Sequence, residues 1–119
     1  MFETYDIKLK QGSYWVTEII LKDDNGSIIN LTDYTAKMQI RKEKDMSALL
    51  YDELTEINSR LEIVGIDGKI KIFFPDDIST AYTWSIGYYD LEITDNNTNK
   101  IYRVLQGRVL IDKNVTVNV

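Results

Sequence analysis

The chain has 119 residues, 44% of them hydrophobic and 28% charged, with a formal net charge of −5. That is one domain's length, with enough apolar surface for one modest core and too much for a disordered chain. The acidic balance, with no basic cluster against it, argues against nucleic acid and anionic lipid as partners. The lack of Cys and His removes disulfides, thiolate or imidazole chemistry and the usual zinc site.

The first residues, Met1 to Asp6, show neither a basic start nor an apolar run, so no signal peptide is expected. No stretch approaches the roughly 20 apolar residues that span a bilayer, so no membrane insertion is expected. Residues 1–119 read as one domain, without linker or internal repeat.

In chain order, residues 1–11 are polar enough to extend as a docking arm. From Ser13 to Lys22, Trp15, Thr17, Ile19 and Leu21 recur at every second position, the strand period, so Trp15 reads as core. Asp23-Asp24-Asn25-Gly26 is a strong hairpin signal, expected to join the first two strands. Ala36, Met38 and Ile40 alternate with Lys37, Gln39 and Arg41, the pattern of a half-buried strand. Residues 45–59 are ambiguous between helix and strand. Met46, Leu49, Leu50, Leu54 and Ile57 have helical spacing, yet Leu49 to Leu54 can pair as a strand, the reading that the neighbouring strands favour.

Leu61 and Ile63 lead through an Asp67-Gly68 turn to Ile70, Ile72 and Phe74. Pro75 to Ala81 predicts one helical turn with Asp76 and Asp77 at its start, where capping explains them better than paired acid–base work. Tyr89, Leu91 and Ile93 form the next strand, and Asp95 to Asn99 the turn after it. In the last strand Ile101, Arg103 and Leu105 should face one way, and Tyr102, Val104 and Gln106 the other. Residues 113–119, ending in alternating Val115, Val117 and Val119, read as a second docking arm with strand propensity. Strands at about ten-residue spacing predict an all-β sandwich of about seven or eight antiparallel strands.

Few residues invite a chemical reading. Asp23, Asp24 and Asn25 could face a calcium ion but lack the loop spacing and the bidentate Glu, so a solvated turn is expected and no metal. Asp90 and Glu92 lie two apart and read as the wet face of a strand. No catalytic residue and no cofactor is expected. Tyr82 and Trp84 lie just before a strand, where exposure is expected; with Tyr88 they could form a sugar-stacking platform or a protein contact.

The order of several segments carries a resemblance. Gly12 precedes a Trp-bearing strand; then come Asp24-Asn25-Gly26-Ser27-Ile28-Ile29-Asn30-Leu31-Thr32, Ala36-Lys37-Met38-Gln39-Ile40-Arg41 and Gly68-Lys69-Ile70-Lys71-Ile72. Gly87-Tyr88-Tyr89-Asp90-Leu91-Glu92-Ile93 and Leu105-Gln106-Gly107-Arg108-Val109 close the series. From Gly12 to Thr116 the chain resembles small tailed-bacteriophage virion proteins with an immunoglobulin-like sandwich, and is similar to the N-terminal domains of baseplate upper proteins. The resemblance implies a non-enzymatic tail, baseplate or fibre-adaptor component of a virion, assembled in the host cytoplasm, present in many symmetric copies and touching other virion proteins. Capsid decoration and a carbohydrate-binding module for host glycans are the alternatives. Contact residues are expected among Tyr82, Trp84, Tyr88, Val115, Val117 and Val119.

Overall fold

The computed structural model describes residues 3–116. Among them the chain is mostly strand: β1 (Glu3–Thr4), β2 (Ile7–Lys10), β3 (Trp15–Ile20), β4 (Tyr34–Arg41), β5 (Leu50–Thr55), β6 (Leu61–Val64), β7 (Lys69–Phe74), β8 (Ile86–Asp95) and β9 (Ile101–Asp112), with one helical turn, α1 (Asp76–Thr80), between β7 and β8. The larger sheet has the order β1-β9-β8-β4-β5, with β2 also on β9; the smaller has the order β3-β7-β6. The all-β class is as the turn spacing predicts.

The two sheets share one core. Inward residues alternate along β4 (Ala36, Met38, Ile40), β8 (Tyr89, Leu91, Ile93) and β7 (Ile70, Ile72, Phe74), all buried. Trp15 packs half-buried against this core, its ring 5.8 Å from that of Phe74. Residues 50–55 are a strand paired with β4, which resolves the ambiguous segment. The apolar residues at helical spacing around it do not form a buried face: Met46 is 90% and Ile57 98% exposed, and only Leu54 enters the core.

Three expectations are corrected. Residues 1–11 are not an arm in their described part. β1 and β2 run parallel to β9, so the sandwich is not purely antiparallel, and Ile7 and Leu9 are core residues. Composition misleads here because Lys8 and Lys10 interleave with the two inward residues. Gly107 makes this pairing possible, since a Cβ there would lie 2.1 Å from the Tyr5 carbonyl oxygen. Asp6 clamps the same point. Its carboxylate accepts from the Arg108 amide at 3.0 Å and from the Arg108 guanidinium at 2.8 Å, which holds its pKa below the ordinary carboxylate range.

Second, the Asn25-Gly26 turn forms, with Asp23 Oδ1 accepting from the amides of Asn25 and Ser27, but only a single bridge, Lys22 to Ile28, follows it. The strands on either side lie in different sheets. Third, the face pattern of β9 breaks at a bulge. Leu91 pairs with Leu105 and Glu92 with Arg103, which leaves Val104 as the extra residue. Val104 and Leu105 are therefore both buried, and Gln106 turns outward, where its Oε1 accepts from Arg103. The Asp67-Gly68 and Asp95–Asn99 turns close the β6–β7 and β8–β9 hairpins as expected.

If β2 belongs to the core, Ile7→Ala should destabilise the fold by about 2–5 kcal/mol in urea unfolding, the range for truncating a buried aliphatic side chain. A solvated arm would show a change of only a few tenths of a kcal/mol.

Candidate functional site

Strand pairing brings several connections to one end of the molecule. β4 ends where β8 begins (Arg41 opposite Tyr88), β9 ends beside Ile86, and β2 ends beside Asp112. In the smaller sheet the start of β3 meets the end of β7, Trp15 opposite Phe74. The β2–β3 turn, the β4–β5 loop, the α1 segment and the residues after β9 therefore share this end.

A buried polar network fixes it. Arg60 is 6% exposed. Its Nη1 lies 3.0 Å from Asp52 Oδ2, its Nε donates to the Phe73 carbonyl at 2.9 Å, and its Nη2 donates to Tyr82 Oη at 3.3 Å. The Tyr82 hydroxyl in turn donates to Asp52 Oδ2. The guanidinium also sits 5.4 Å from the centroid of the Phe74 ring. Burial, then the bond to Asp52, pushes the Tyr82 hydroxyl well above its ordinary pKa, so Tyr82 acts as a donor and has no role as a base.

Aromatic packing extends the network to the surface. Tyr51 stacks on Trp84 with centroids 4.8 Å apart and planes 4° apart, and Tyr82 lies 4.6 Å from Trp84 on a tilted plane. Gly87 leaves room for this stack, because a Cβ there would meet Ile40, Trp84 and Tyr51 at 2.6–3.3 Å. The Tyr82 carbonyl accepts from Gln11 Nε2 at 3.0 Å and from Lys113 Nζ at 3.3 Å, and the Asn114 amide donates to Gln11 Oε1 at 3.0 Å. Residues from four parts of the chain thus hold one rigid end.

The expected contact residues fare differently. Tyr82 is 8% exposed, so its expected exposure is corrected: the ion pair behind it gives its hydroxyl a buried partner that no local pattern announces. Trp84 is half-buried between two rings. Tyr88 lies on the opposite face of the larger sheet from the inward Tyr89, so Tyr82, Trp84 and Tyr88 do not form one platform. Val115 is 95% exposed; Val117 and Val119 lie outside the described residues. Asp76 and Asp77 occupy the first turn of α1 but make no side-chain cap bond; Pro75 stands at the N-cap.

Two surface features were not legible from sequence. On the outer face of the larger sheet, a groove of about 310 Å³ runs beneath the β4–β5 loop, with Tyr88, Gln39, Arg41, Asp90 and Met46 among its walls. The connections at this end also expose large apolar side chains: Tyr14 (61%), Met46 (90%), Leu49 (65%), Ile86 (50%) and Val115 (95%). Among the described residues no His, Cys, Asp and Glu side chains cluster as metal ligands, and no helix is long and apolar enough to cross a membrane.

No family model matches this chain, and no curated protein matches it.

The network should behave as one unit. Arg60→Met should cost about 3–5 kcal/mol, because it strands the largely buried Asp52 carboxylate. In a urea-unfolding double-mutant cycle, Asp52→Asn combined with Arg60→Met should cost clearly less than the sum of the two single changes. Additive losses would show that the two groups are not coupled.

Proposed function

We propose that this chain is a non-catalytic structural module that works by protein–protein contact, and that the contact is made by the end of the sandwich described above. The observation that carries the reading is the set of five large apolar side chains, Tyr14, Met46, Leu49, Ile86 and Val115, each at least half exposed at that end. Apolar side chains exposed singly are common, as at Ile57 and Ile66, but here five gather at one end over a base of buried polar and aromatic contacts.

The finer reading is an immunoglobulin-like sandwich in a tailed-phage particle, with this chain as a tail, baseplate or fibre-adaptor component in many symmetric copies. Strand order supports the immunoglobulin-like part. β9, β8, β4 and β5 stand where strands G, F, C and C′ stand in that fold, and β3, β7 and β6 where B, E and D stand. Tyr82 sits in the β7–β8 corner, the place of the tyrosine corner, although its hydroxyl goes to Asp52 and Arg60 and not to backbone. The phage part rests on the sequence resemblance. Capsid decoration would use the same fold with another partner surface.

One observation favours a second reading, glycan binding: the outer-face groove sets Tyr88 among amide, guanidinium and carboxylate side chains suited to hydroxyl-rich ligands.

The test pairs two variants in the phage particle. Met46→Asp with Leu49→Asp should lower incorporation of the chain roughly tenfold or more while leaving thermal unfolding nearly unchanged, since both side chains are exposed. Tyr88→Ala should leave incorporation intact. Normal incorporation of the aspartate variant, with loss of glycan binding in Tyr88→Ala, would replace the structural reading with the second. Particle reconstruction would then locate the wild-type chain on tail or capsid.

A further inference from the structure

Among the described residues, the smaller sheet has an open edge at β3. The Phe73 amide of β7 donates to the Arg60 carbonyl, and Gly68, just before β7, accepts from the Leu21 amide. In an antiparallel ladder these bonds alternate, so the even-numbered residues of β7 bond to β3, and Trp15, Thr17, Ile19 and Leu21 are their partners. The N–H and C=O groups of Val16, Glu18 and Ile20 therefore point away from β7. Among the described residues nothing accepts from or donates to them. The edge is flanked by exposed apolar side chains, Val16 at 38% and Ile20 at 50%. The N-terminal strands β1 and β2 do not cover it; they are bound to β9 in the other sheet.

Beside this edge lies a cleft of about 270 Å³, with Ile19, Leu21, Val104 and Leu105 among its apolar walls and Glu3, Lys22, Asp23 and Asp24 at its charged rim. A strand added to β3 would send every second side chain into that cleft and the others outward beside Val16, Glu18 and Ile20. The sequence offers a segment of matching pattern, Val115-Thr116-Val117-Asn118-Val119, which follows the end of β9. Its three valines are β-branched, and its five residues extend over about 17 Å, within the length of β3. It carries no charged side chain, so nothing repels Glu18. A second β3 is a poorer partner, because the register that uses the whole edge sets Glu18 opposite Glu18. In the donor segment's own molecule Asn114 is held against Gln11, beside the turn that opens β3, so pairing in cis would require a reversal within a few residues.

We propose that the free edge of β3 is a strand-addition site, and that its occupant is the Val115–Val119 segment of a second copy. In an antiparallel register with Val117 opposite Ile19, Asn118 lies opposite Glu18 and Thr116 opposite Ile20, while the valines fill the cleft. The contact is head-to-tail, each copy using one patch to give and another to receive, so it propagates to rings or filaments. The proposal rests on the structural reading above and names its partner and surface.

Two variants disable opposite halves of the contact. Glu18→Pro removes an N–H that serves no bond inside the domain and puts a ring on the open edge, where proline is tolerated. Val117→Asp places a carboxylate in the cleft. In sedimentation velocity, wild type should show concentration-dependent masses in multiples of 13.8 kDa. Each variant alone should sediment as one chain, with unchanged circular dichroism, and an equimolar mixture should form a heterodimer and nothing larger, since only one intact donor–acceptor pair remains. Glu18→Gln should assemble like wild type. Should Glu18→Pro misfold, Val117→Asp mixed with wild type should still cap assembly. A wild-type chain that stays monomeric to millimolar concentration, or a Val117→Asp chain that assembles normally, overturns the proposal. Loss of particle incorporation in the Met46/Leu49 variant would in that case leave the structural reading standing.

Discussion

Parallel pairing of β2 with β9 is the constraint from which much of this molecule follows. It draws Ile7 and Leu9 into the core and extends the larger sheet beyond β9. It depends on a close backbone approach that only a glycine at position 107 permits, and on the Asp6–Arg108 clamp beside it. With β1 and β2 committed to the larger sheet, no described residue covers the β3 edge of the smaller one. Sheet edges with unpaired amides are sites of strand addition unless something covers or charges them, and here a single Glu18 stands between Val16 and Ile20.

The site end is held by a different kind of interaction. Apolar packing alone would let the β4–β5 loop, the α1 segment and the residues after β9 drift relative to one another. The Arg60–Asp52–Tyr82 network ties the β5–β6 connection, β5 and the β7–β8 corner together, and the Tyr82 carbonyl gathers Gln11 and Lys113 to the same place. A buried ion pair of this kind adds little net stability compared with apolar residues of similar shape. Its effect is geometric: it holds these segments in one arrangement.

Legibility followed the range of the interactions. Alternation along β4, β7 and β8 is a local property, and the core positions read from it are the buried ones. The β6–β7 and β8–β9 turns likewise depend on a few adjacent residues. The bulge at Val104 depends on pairing with β8, so the β9 faces could not be read past that point. Tyr82 looked exposed because its partners lie 22 and 30 residues away. Tyr82, Trp84 and Tyr88 are neighbours in sequence, yet the sheet separates them by its own thickness, since Tyr88 falls on the opposite face from the inward residues of β8.

The amino-acid sequence by itself determined the all-β class, the inward residues of the central strands, the short hairpins and the absence of thiol and imidazole chemistry. Each of these depends on residue identity or on a two-residue period. Tertiary structure alone decided that the polar-looking N-terminal segment is a core strand, that Asp52 and Arg60 meet behind Tyr82, and that no described residue covers the edge of β3. Those outcomes rest on which distant strands pair, and pairing between distant strands leaves no local mark in composition or periodicity.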